Sequence, residues 1–475
     1  MLSKIRLGPP AFYREALSIA LPVMLQQLIM SMVSLIDNFM VAGLGDISMA
    51  AVNVANQINF IHIVILNTIC GAGGIYIAQF RGAADNEGMK HAFRFKIIFG
   101  LCASVLYFIL CWTIPRQMIA VMTMRNAAQE ELIAAGSAYL RITSFTLFPM
   151  AVSFAAGSSF REIGVPKIPL FVSTAATLVN TVGNWILIYG NLGAPRFEVN
   201  GAAMATVLAR YTEMAVFLIY LRKRPAPFFT GLRKLFIVNR RLVTEILSKS
   251  GMMFFSELSW ISSETIMTAL YNGRGGAEVV AGMAAGFTIA NIFFLIFGGI
   301  WTTTTVLVGG SLGAGKLEEA RKRAGWIKSG SLAIGIIIAV LGAAAALLLI
   351  PLVFSNLSSQ ARNISLGLVF TILLYLPLWG LLNAMFAISR AGGDTAMGMY
   401  TDLSVNTLLF VPGCFILALG TSMGPVTMYA LLKLTDIIKL FVARHFLNKE
   451  RWVRNLTVRN PPEGGPGHRP KIRSR

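Results

Sequence analysis

Long stretches without a charged side chain recur along this chain of 475 residues. Lys96 and Arg116 enclose 19 uncharged residues, and longer uncharged runs follow Lys167 and Glu278. About 20 mostly apolar residues let a helix cross a bilayer, where only helices and closed barrels satisfy their backbone hydrogen bonds. Because the runs are continuously apolar and lack the alternation of barrel strands, the sequence predicts an all-α integral membrane protein.

The composition supports this fold class. Apolar residues make up 55% and charged residues 13% of the chain, whereas a soluble protein carries roughly 25% charged residues. So few charges cannot cover a soluble surface of this size, and much of the chain must face hydrocarbon. The apolar segments predict twelve transmembrane helices, over residues 16–40, 49–78, 97–115, 136–158, 169–190, 201–221, 246–271, 279–311, 329–352, 364–388, 396–419 and 425–443.

Basic residues are concentrated in alternate loops. With the N-terminus in the cytoplasm, most of the 41 Lys and Arg residues fall in cytoplasmic segments, as the positive-inside rule requires. We therefore expect a multi-pass protein of the cell inner membrane, with both termini cytoplasmic and basic clusters touching anionic lipid. Residues 1–15 form a cytoplasmic N-terminus and residues 222–245 a cytoplasmic linker. The basic, Pro- and Gly-rich tail of residues 444–475 is predicted to be disordered.

The two halves of the chain resemble each other when displaced by about 230 residues. Gly82-Ala-Ala-Asp-Asn-Glu87 matches Gly313-Ala-Gly-Lys-Leu-Glu318, and Ile163-Gly164 matches Ala391-Gly392. In the last helix of each half, Arg210 and Glu213 lie opposite Lys433 and Asp436. Both halves begin inside, so residues 16–221 and 246–443 are predicted to be parallel six-helix bundles related by a pseudo-twofold axis along the membrane normal. Transporters built this way bind substrate between the halves and rock one half against the other.

Acidic residues inside the predicted spans are the strongest functional signal. Each costs roughly 2.5–3 kcal/mol on insertion scales and is by default a candidate for function. Six are present: Asp37, Glu213, Glu257, Glu264, Asp402 and Asp436.

Asp37 has no cationic side chain within one helical turn. At 100° per residue, Gln26 and Ser34 project to the same face, which we predict to be polar and to line a water-filled cavity that includes substrate contacts. A carboxyl group there has two states of low cost, protonated or ionised with a bound cation. This is the chemistry of an ion-coupled transporter, although Asp37 could instead cap a helix near the outer interface.

The other intramembrane charges have functional and structural readings. Glu257 lies deep in the seventh span and is a candidate cation ligand. Glu264, two turns further on, either contacts substrate or pairs with a basic group such as Arg274 or Arg210. Asp402 is expected near the interface. The remaining acids each have a cation three residues before them and can neutralise themselves as structural pairs: Arg210 with Glu213, and Lys433 with Asp436.

Asn180 and Asn184 form a second polar stripe on the fifth span, and Thr206 begins the sixth. Their amide and hydroxyl groups could complete a sodium shell or hydrogen-bond a carboxylic acid. Hydrogen bonds that only join helices are the alternative.

No metal or cofactor site is predicted beyond a possible Na⁺ at Asp37. The four cysteines fall inside predicted spans, and the four histidines lack a metal-ligand spacing. Gly310-Ser-Leu-Gly-Ala-Gly315-Lys316 nearly matches a Walker A loop, but Leu317 replaces the Ser or Thr that would hold magnesium, and the segment follows a membrane helix. Neither ATP-driven transport nor an enzyme's nucleophile–base pair is supported.

Several segments together resemble the multidrug and toxic compound extrusion (MATE) family. They run in the family's order across nearly the whole chain except the tail: Pro22 through Asp37-Asn38, Gly43-Leu-Gly45, Gln79-Phe-Arg-Gly-Ala83, Asn200-Gly-Ala-Ala-Met-Ala-Thr206, Ser256-Glu-Leu-Ser-Trp260 and Gly309-Gly-Ser-Leu-Gly-Ala-Gly315.

The resemblance implies efflux of small amphiphilic cations by antiport with H⁺ or Na⁺. It implies that Asp37 is the coupling acid, that Asn180 and Thr206 belong to its polar network, and that Glu257 is the acid of the second bundle. Asn184 departs from members that carry Asp there. No nucleic acid and no obligate protein partner are expected. The alternatives are a lipid-linked saccharide flippase of the same superfamily, which would need a strongly cationic cavity, a channel, or a membrane-embedded enzyme.

Overall fold

The computed structural model describes residues 7–123 and 128–458, and these ranges are helical without any strand. Within these ranges twelve long helices follow the predicted order, two of them interrupted, and a short helix, Pro115–Met122, lies between the third and the fourth. We number them α1 (Pro10–Ala42), α2 (Asp46–Gly82), α3 (Asn86–Thr113), α4 (Gln129–Ser144 with Leu147–Glu162), α5 (Lys167–Tyr189), α6 (Glu198–Lys223), α7 (Arg240–Gly273), α8 (Ala277–Gly313), α9 (Leu317–Val353), α10 (Ser359–Ala391), α11 (Ala396–Gly420) and α12 (Pro425–Lys433 with Thr435–Asn448).

Length and apolarity alone identify most of these helices as membrane spans. Among the described residues, nine helices meet both criteria, and the two parts of α4, bent by 51°, make a tenth. Pro149 explains the bend, because it has no N–H to donate to the carbonyl of Phe145 four residues earlier. The span predicted at 136–158 is therefore present as two helices joined at a bend.

Several helices extend beyond the predicted spans into charged sequence. The third begins at Asn86 rather than at 97, where Asp85 accepts a 2.9 Å hydrogen bond from the backbone N–H of Gly88 as an N-cap. The ninth begins at Leu317 rather than at 329. Charged residues are excluded from the hydrocarbon layer, but a helix can contain them outside that layer. An uncharged run therefore marks the part of a helix that crosses the membrane, and the helix itself can be longer.

Helices α1–α6 and α7–α12 form two lobes, and the first helix of each lobe reaches into the other. Near the start of α1, the Phe12 ring packs 5.1 Å from that of Trp326 on α9. Near the start of α7, Glu245 accepts a 3.3 Å hydrogen bond from Tyr76 on α2. Both contacts lie at the end of the molecule that carries the α2–α3 turn, which we call the terminal face.

The chain after α12 begins with ordered structure, contrary to the disorder predicted from residue 444. Helix α12 continues to Asn448, and Trp452 is 5% exposed in the core of the second lobe. The basic sequence there lies against protein because it is interrupted by apolar residues that can be buried. Residues 459–475 of the predicted tail lie outside the described ranges, as do residues 1–6 of the predicted N-terminal segment.

Candidate functional site

Asp37 of α1 faces two asparagines of α5. The Asn184 amide donates a 2.7 Å hydrogen bond to Asp37 Oδ1. With its amide nitrogen turned towards the carboxylate, Asn180 lies 3.1 and 2.7 Å from the two Asp37 oxygens. The other atom of that amide lies 3.4 Å from the Thr206 hydroxyl of α6. The four predicted coupling residues of the first lobe therefore meet at one point.

Neutral groups hold the Asp37 carboxylate. It is half-buried, whereas both asparagines are at least nine-tenths buried. Among the described residues, no basic nitrogen lies within 4.0 Å of Asp37. The Asn184 Oδ1 atom is buried, and it has no hydrogen-bond partner among the described residues. An uncompensated carboxylate and an unused carbonyl oxygen thus lie side by side.

A separate hydrogen-bonded chain crosses the first lobe nearer the terminal face. Gln26 of α1 donates to Ser173 of α5 at 2.7 Å, and Ser173 donates to Glu213 of α6 at 3.1 Å. Glu213 also accepts from Arg210 at 2.9 Å, the pair expected from their spacing. Gln26 is buried within this series of hydrogen bonds, whereas Ser34 is exposed. The two residues that were predicted to share one substrate-binding face therefore lie in different environments.

The second lobe contains a cavity of about 760 Å³. On its wall, Arg390 of α10 donates to Glu257 Oε1 at 3.2 and 3.3 Å and lies 4.5 Å from the centre of the Trp301 ring. Glu257, predicted as a cation ligand, lines this cavity and is paired with the Arg390 side chain. Sequence reasoning missed Arg390 because the residue falls just beyond the predicted span at 364–388.

Lys433 corrects two predicted ion pairs. Its ammonium donates to Glu264 of α7 and lies 5.1 to 5.8 Å from the ring centres of Phe410, Tyr429 and Trp379. It does not pair with Asp436, which lies 3.5 Å from Lys439 instead. Neither basic residue suggested for Glu264 is its partner: Arg210 binds Glu213, and Arg274 binds the carbonyls of Leu417 and Thr421.

Lys439 of α12 lies between two buried carboxylates. Its Nζ atom is 3.5 Å from Asp402 Oδ1 and 3.5 Å from Asp436 Oδ1. Asp402 also accepts from Ser256, and Asp436 accepts from the Trp379 indole N–H at 2.8 Å. Asp402 is 6% exposed, because α11 packs against α7 and α12 there. Its position near the membrane interface stays a prediction.

The charges around this cavity do not balance. Four carboxylates line it (Glu257, Glu264, Asp402 and Asp436), with three basic side chains (Arg390, Lys433 and Lys439). A π-helical turn at Asn406–Phe410 widens α11 beside the cavity, a distortion that is frequent at functional sites. With every group ionised, the lining carries one excess negative charge. The arrangement suits a cation with apolar surface, since aromatic rings and carboxylates both attract one.

One buried ion pair of the first lobe was also missed. Lys96 of α3 is fully buried and donates to Glu162 of α4. A Cβ on Gly74 of α2 would lie 2.0 Å from Glu162 Oε1, so the pair needs glycine on the facing helix. Both residues lie just outside the predicted spans at 97–115 and 136–158. Longer predicted helices would have included both residues.

Comparisons with known proteins agree with this architecture. The MatE family model matches residues 22–186 and 253–416, more than half of the chain, as one segment in each lobe. The probable multidrug resistance protein NorM of Neisseria meningitidis serogroup B is 25% identical over 348 residues, covering 72% of this chain and 73% of that protein. The protein of the same name from Halalkalibacterium halodurans is 23% identical over 417 residues, covering 86% and 88%.

Solved structures show the same fold. A MATE in complex with MaL6 has a TM-score of 0.80 at 19% identity, covering 95% of this chain and 99% of that one. A multidrug resistance MATE family transporter of the MOP superfamily in an outward-facing conformation has a TM-score of 0.78 at 20% identity, covering 92% and 96%. Twelve helices in two bundles and the matched segments together show that the chain belongs to the MATE family of membrane transporters and is not an enzyme.

Proposed function

We propose that this protein exports small amphiphilic cations from the cell by antiport, with Asp37 as the carboxylate that binds the exchanged H⁺ or Na⁺. The relatives named as probable multidrug resistance proteins support efflux in general. We further propose that the protein lies in the cell inner membrane with its terminal face in the cytoplasm, as the distribution of basic residues predicts.

The observation that carries this proposal is that, within residues 7–123 and 128–458, no Lys or Arg nitrogen lies within 4.0 Å of Asp37. The other five acids predicted inside the spans all lie within 4.0 Å of a Lys or Arg nitrogen. Asp37 accepts from neutral amides instead. An ion that binds Asp37 therefore changes the net charge of the first lobe without displacing a side chain, and charge within a membrane is costly enough to favour one arrangement of the lobes over another.

The second lobe supports the choice of substrate. Its cavity combines one excess carboxylate with the rings of Trp301, Trp379 and Phe410. A lipid-linked saccharide carries a pyrophosphate, which this lining would repel. The chemistry therefore favours an organic cation over the substrate of a flippase.

Transport in sealed vesicles with imposed proton or sodium gradients tests the coupling. Extrusion of a fluorescent organic cation is expected to follow one of the two gradients, which identifies the ion. Asp37→Asn is expected to abolish that dependence, because an amide neither takes up a proton near neutral pH nor carries a negative charge. Asp46→Asn is the matched control, since Asp46 is exposed at the start of α2. Unchanged gradient dependence in Asp37→Asn would contradict the assignment.

A further inference from the structure

The two lobes touch at the terminal face through a reciprocal pair of glycine contacts. A Cβ on Gly82 of α2 would lie 1.9 Å from the carbonyl oxygen of Gly310 of α8, and a Cβ on Gly313 would lie 1.8 Å from that of Gln79. Gly310 follows Gln79 and Gly313 follows Gly82 by the same 231 positions. Each contact is therefore the twofold image of the other, as at an isologous interface.

The side chain of Gln79 breaks this symmetry. It is fully buried, and its Nε2 donates to the Ala391 carbonyl of α10 at 2.8 Å. Nε2 also donates to the Arg454 carbonyl at 3.4 Å, and Oε1 accepts from the backbone N–H of Leu456 at 2.8 Å. The twofold-related position is Gly310, which has no side chain. One residue of the first lobe thus bonds to both a helix of the second lobe and the segment after α12.

That segment is itself fixed to the second lobe. A Cβ on Gly392 would lie 1.7 Å from the carbonyl oxygen of Trp452, so the two backbones are in close contact. Asn455 donates to the Gly313 carbonyl at 3.0 Å, and its own oxygen accepts from the Thr457 backbone N–H at 2.9 Å. Residues 452–457, which we call the clasp, therefore present the N–H of Leu456 to Gln79 from a fixed position.

We propose that Gln79 is a positioning residue of the transport cycle and that, with the clasp, it sets how often the terminal face opens. This rests on the proposed antiport, with one lobe rocking against the other. Opening that face separates α2 from α8, from α10 and from the clasp, so all three hydrogen bonds of Gln79 must break in every cycle. Buried hydrogen bonds that break bias an equilibrium modestly, because water replaces their partners when the gap opens. The clasp therefore favours the closed state of the terminal face but does not prevent this face from opening.

The experiment measures opening directly through a buried reporter. Ala78 is 1% exposed, and its Cβ would lie 3.4 Å from one added to Gly309 of α8, so it faces the gap between the lobes. The full chain carries Ala78→Cys after replacement of the four native cysteines by serine or alanine. The labelling rate with a membrane-impermeant maleimide is then measured in membranes with the terminal face accessible.

Gln79→Met keeps the length of the side chain and removes all three hydrogen bonds. It is expected to raise the labelling rate about tenfold, the factor that corresponds to 1.4 kcal/mol. Gln79→Glu keeps the acceptor for Leu456 but turns a carboxylate oxygen towards the Ala391 and Arg454 carbonyls. A rise at least as large is expected, because a buried charge that faces carbonyl oxygens is costly. Asn455→Ala is expected to act in the same direction as Gln79→Met. Combined with Gln79→Met, it should add less than its separate effect, because both changes release the same contact.

Ser104→Ala is the matched control. It removes buried hydrogen bonds to His62 and to the carbonyls of Gly100 and Leu147, all within the first lobe. Equal labelling in the parent and in both the Gln79→Met and Asn455→Ala variants would overturn the proposal, as would an equal rise in Ser104→Ala. Labelling requires neither gradient nor substrate. A failed coupling test at Asp37 with a positive labelling result would therefore refute the proposed antiport and leave the clasp standing.

Discussion

Replacing Lys439 with methionine removes the ammonium that Asp402 and Asp436 share while keeping the length of the side chain. Both ion-pair distances are 3.5 Å, and all three side chains are at most 10% exposed. At an effective dielectric constant of about 20, two unit charges at that distance attract by roughly 5 kcal/mol before desolvation is counted. Removal of one partner from a buried pair costs roughly 3–5 kcal/mol in net stability. We expect a loss at the upper end of that range, because two carboxylates are left without their cation.

The assay is unfolding of the purified protein in mixed detergent micelles at neutral pH. Lys439→Met is compared with Lys322→Met, which changes an exposed lysine of α9 and should stay within about 0.5 kcal/mol of the parent. The double variant Lys439→Met/Asp402→Asn removes one negative charge together with the positive one. It should recover more than half of the loss, since the Trp379 indole still binds Asp436.

The outcome that refutes this reasoning is a Lys439→Met variant as stable as Lys322→Met. It would mean that the two carboxylates do not carry the charge assigned to them, and the excess negative charge of the cavity would disappear with it. Failure of Asp402→Asn to rescue would instead show that the loss comes mainly from Asp436, which is left without its lysine in both variants.

Four further substitutions, in two pairs, test the interface between the lobes and the cavity. Gly313→Ala places a Cβ 1.8 Å from the Gln79 carbonyl oxygen, so α2 and α8 must separate by about an ångström, and vesicle transport should fall sharply. Gly251→Ala on α7, where a Cβ meets no atom within 4 Å, should transport normally. Arg390→Gln frees Glu257 from its ion pair and should tighten equilibrium binding of a fluorescent organic cation, whereas Glu257→Gln should weaken it; the opposite order would exclude Glu257 as a cation ligand.

The sequence predicted the fold well because its main determinant is local. Each uncharged run has to cross the bilayer as a helix, whatever its neighbours are. The features that the sequence did not predict depend on the hydrogen bonds of individual backbone groups. The break in α4 follows from the carbonyl that Pro149 leaves without a donor, and the early start of α3 follows from the cap at Asp85. Hydropathy records neither feature.

The candidate sites divide along the same line. Asp37, Asn180 and Asn184 could be singled out because each is a polar residue in apolar sequence, and the structure brings them together. The ion pairs of the second lobe were largely missed, because their partners come from different helices. Glu257 meets Arg390 from a helix more than 100 residues away in sequence, and spacing along one helix contains no information about such contacts.

The internal repeat predicts where charges stand but not which charges they meet. Arg210 and Glu213 remain paired at 2.9 Å on an unbroken α6. Their counterparts Lys433 and Asp436 lie on either side of the interruption at Leu434, and each turns to a different partner. Lys433 links α12 to Glu264 of α7, whereas Asp436 pairs within α12 with Lys439, which it shares with Asp402 of α11. Twofold symmetry of the backbone thus coexists with two chemically different lobes, one with a carboxylate that lacks a cation and one with a cavity in which cations are shared.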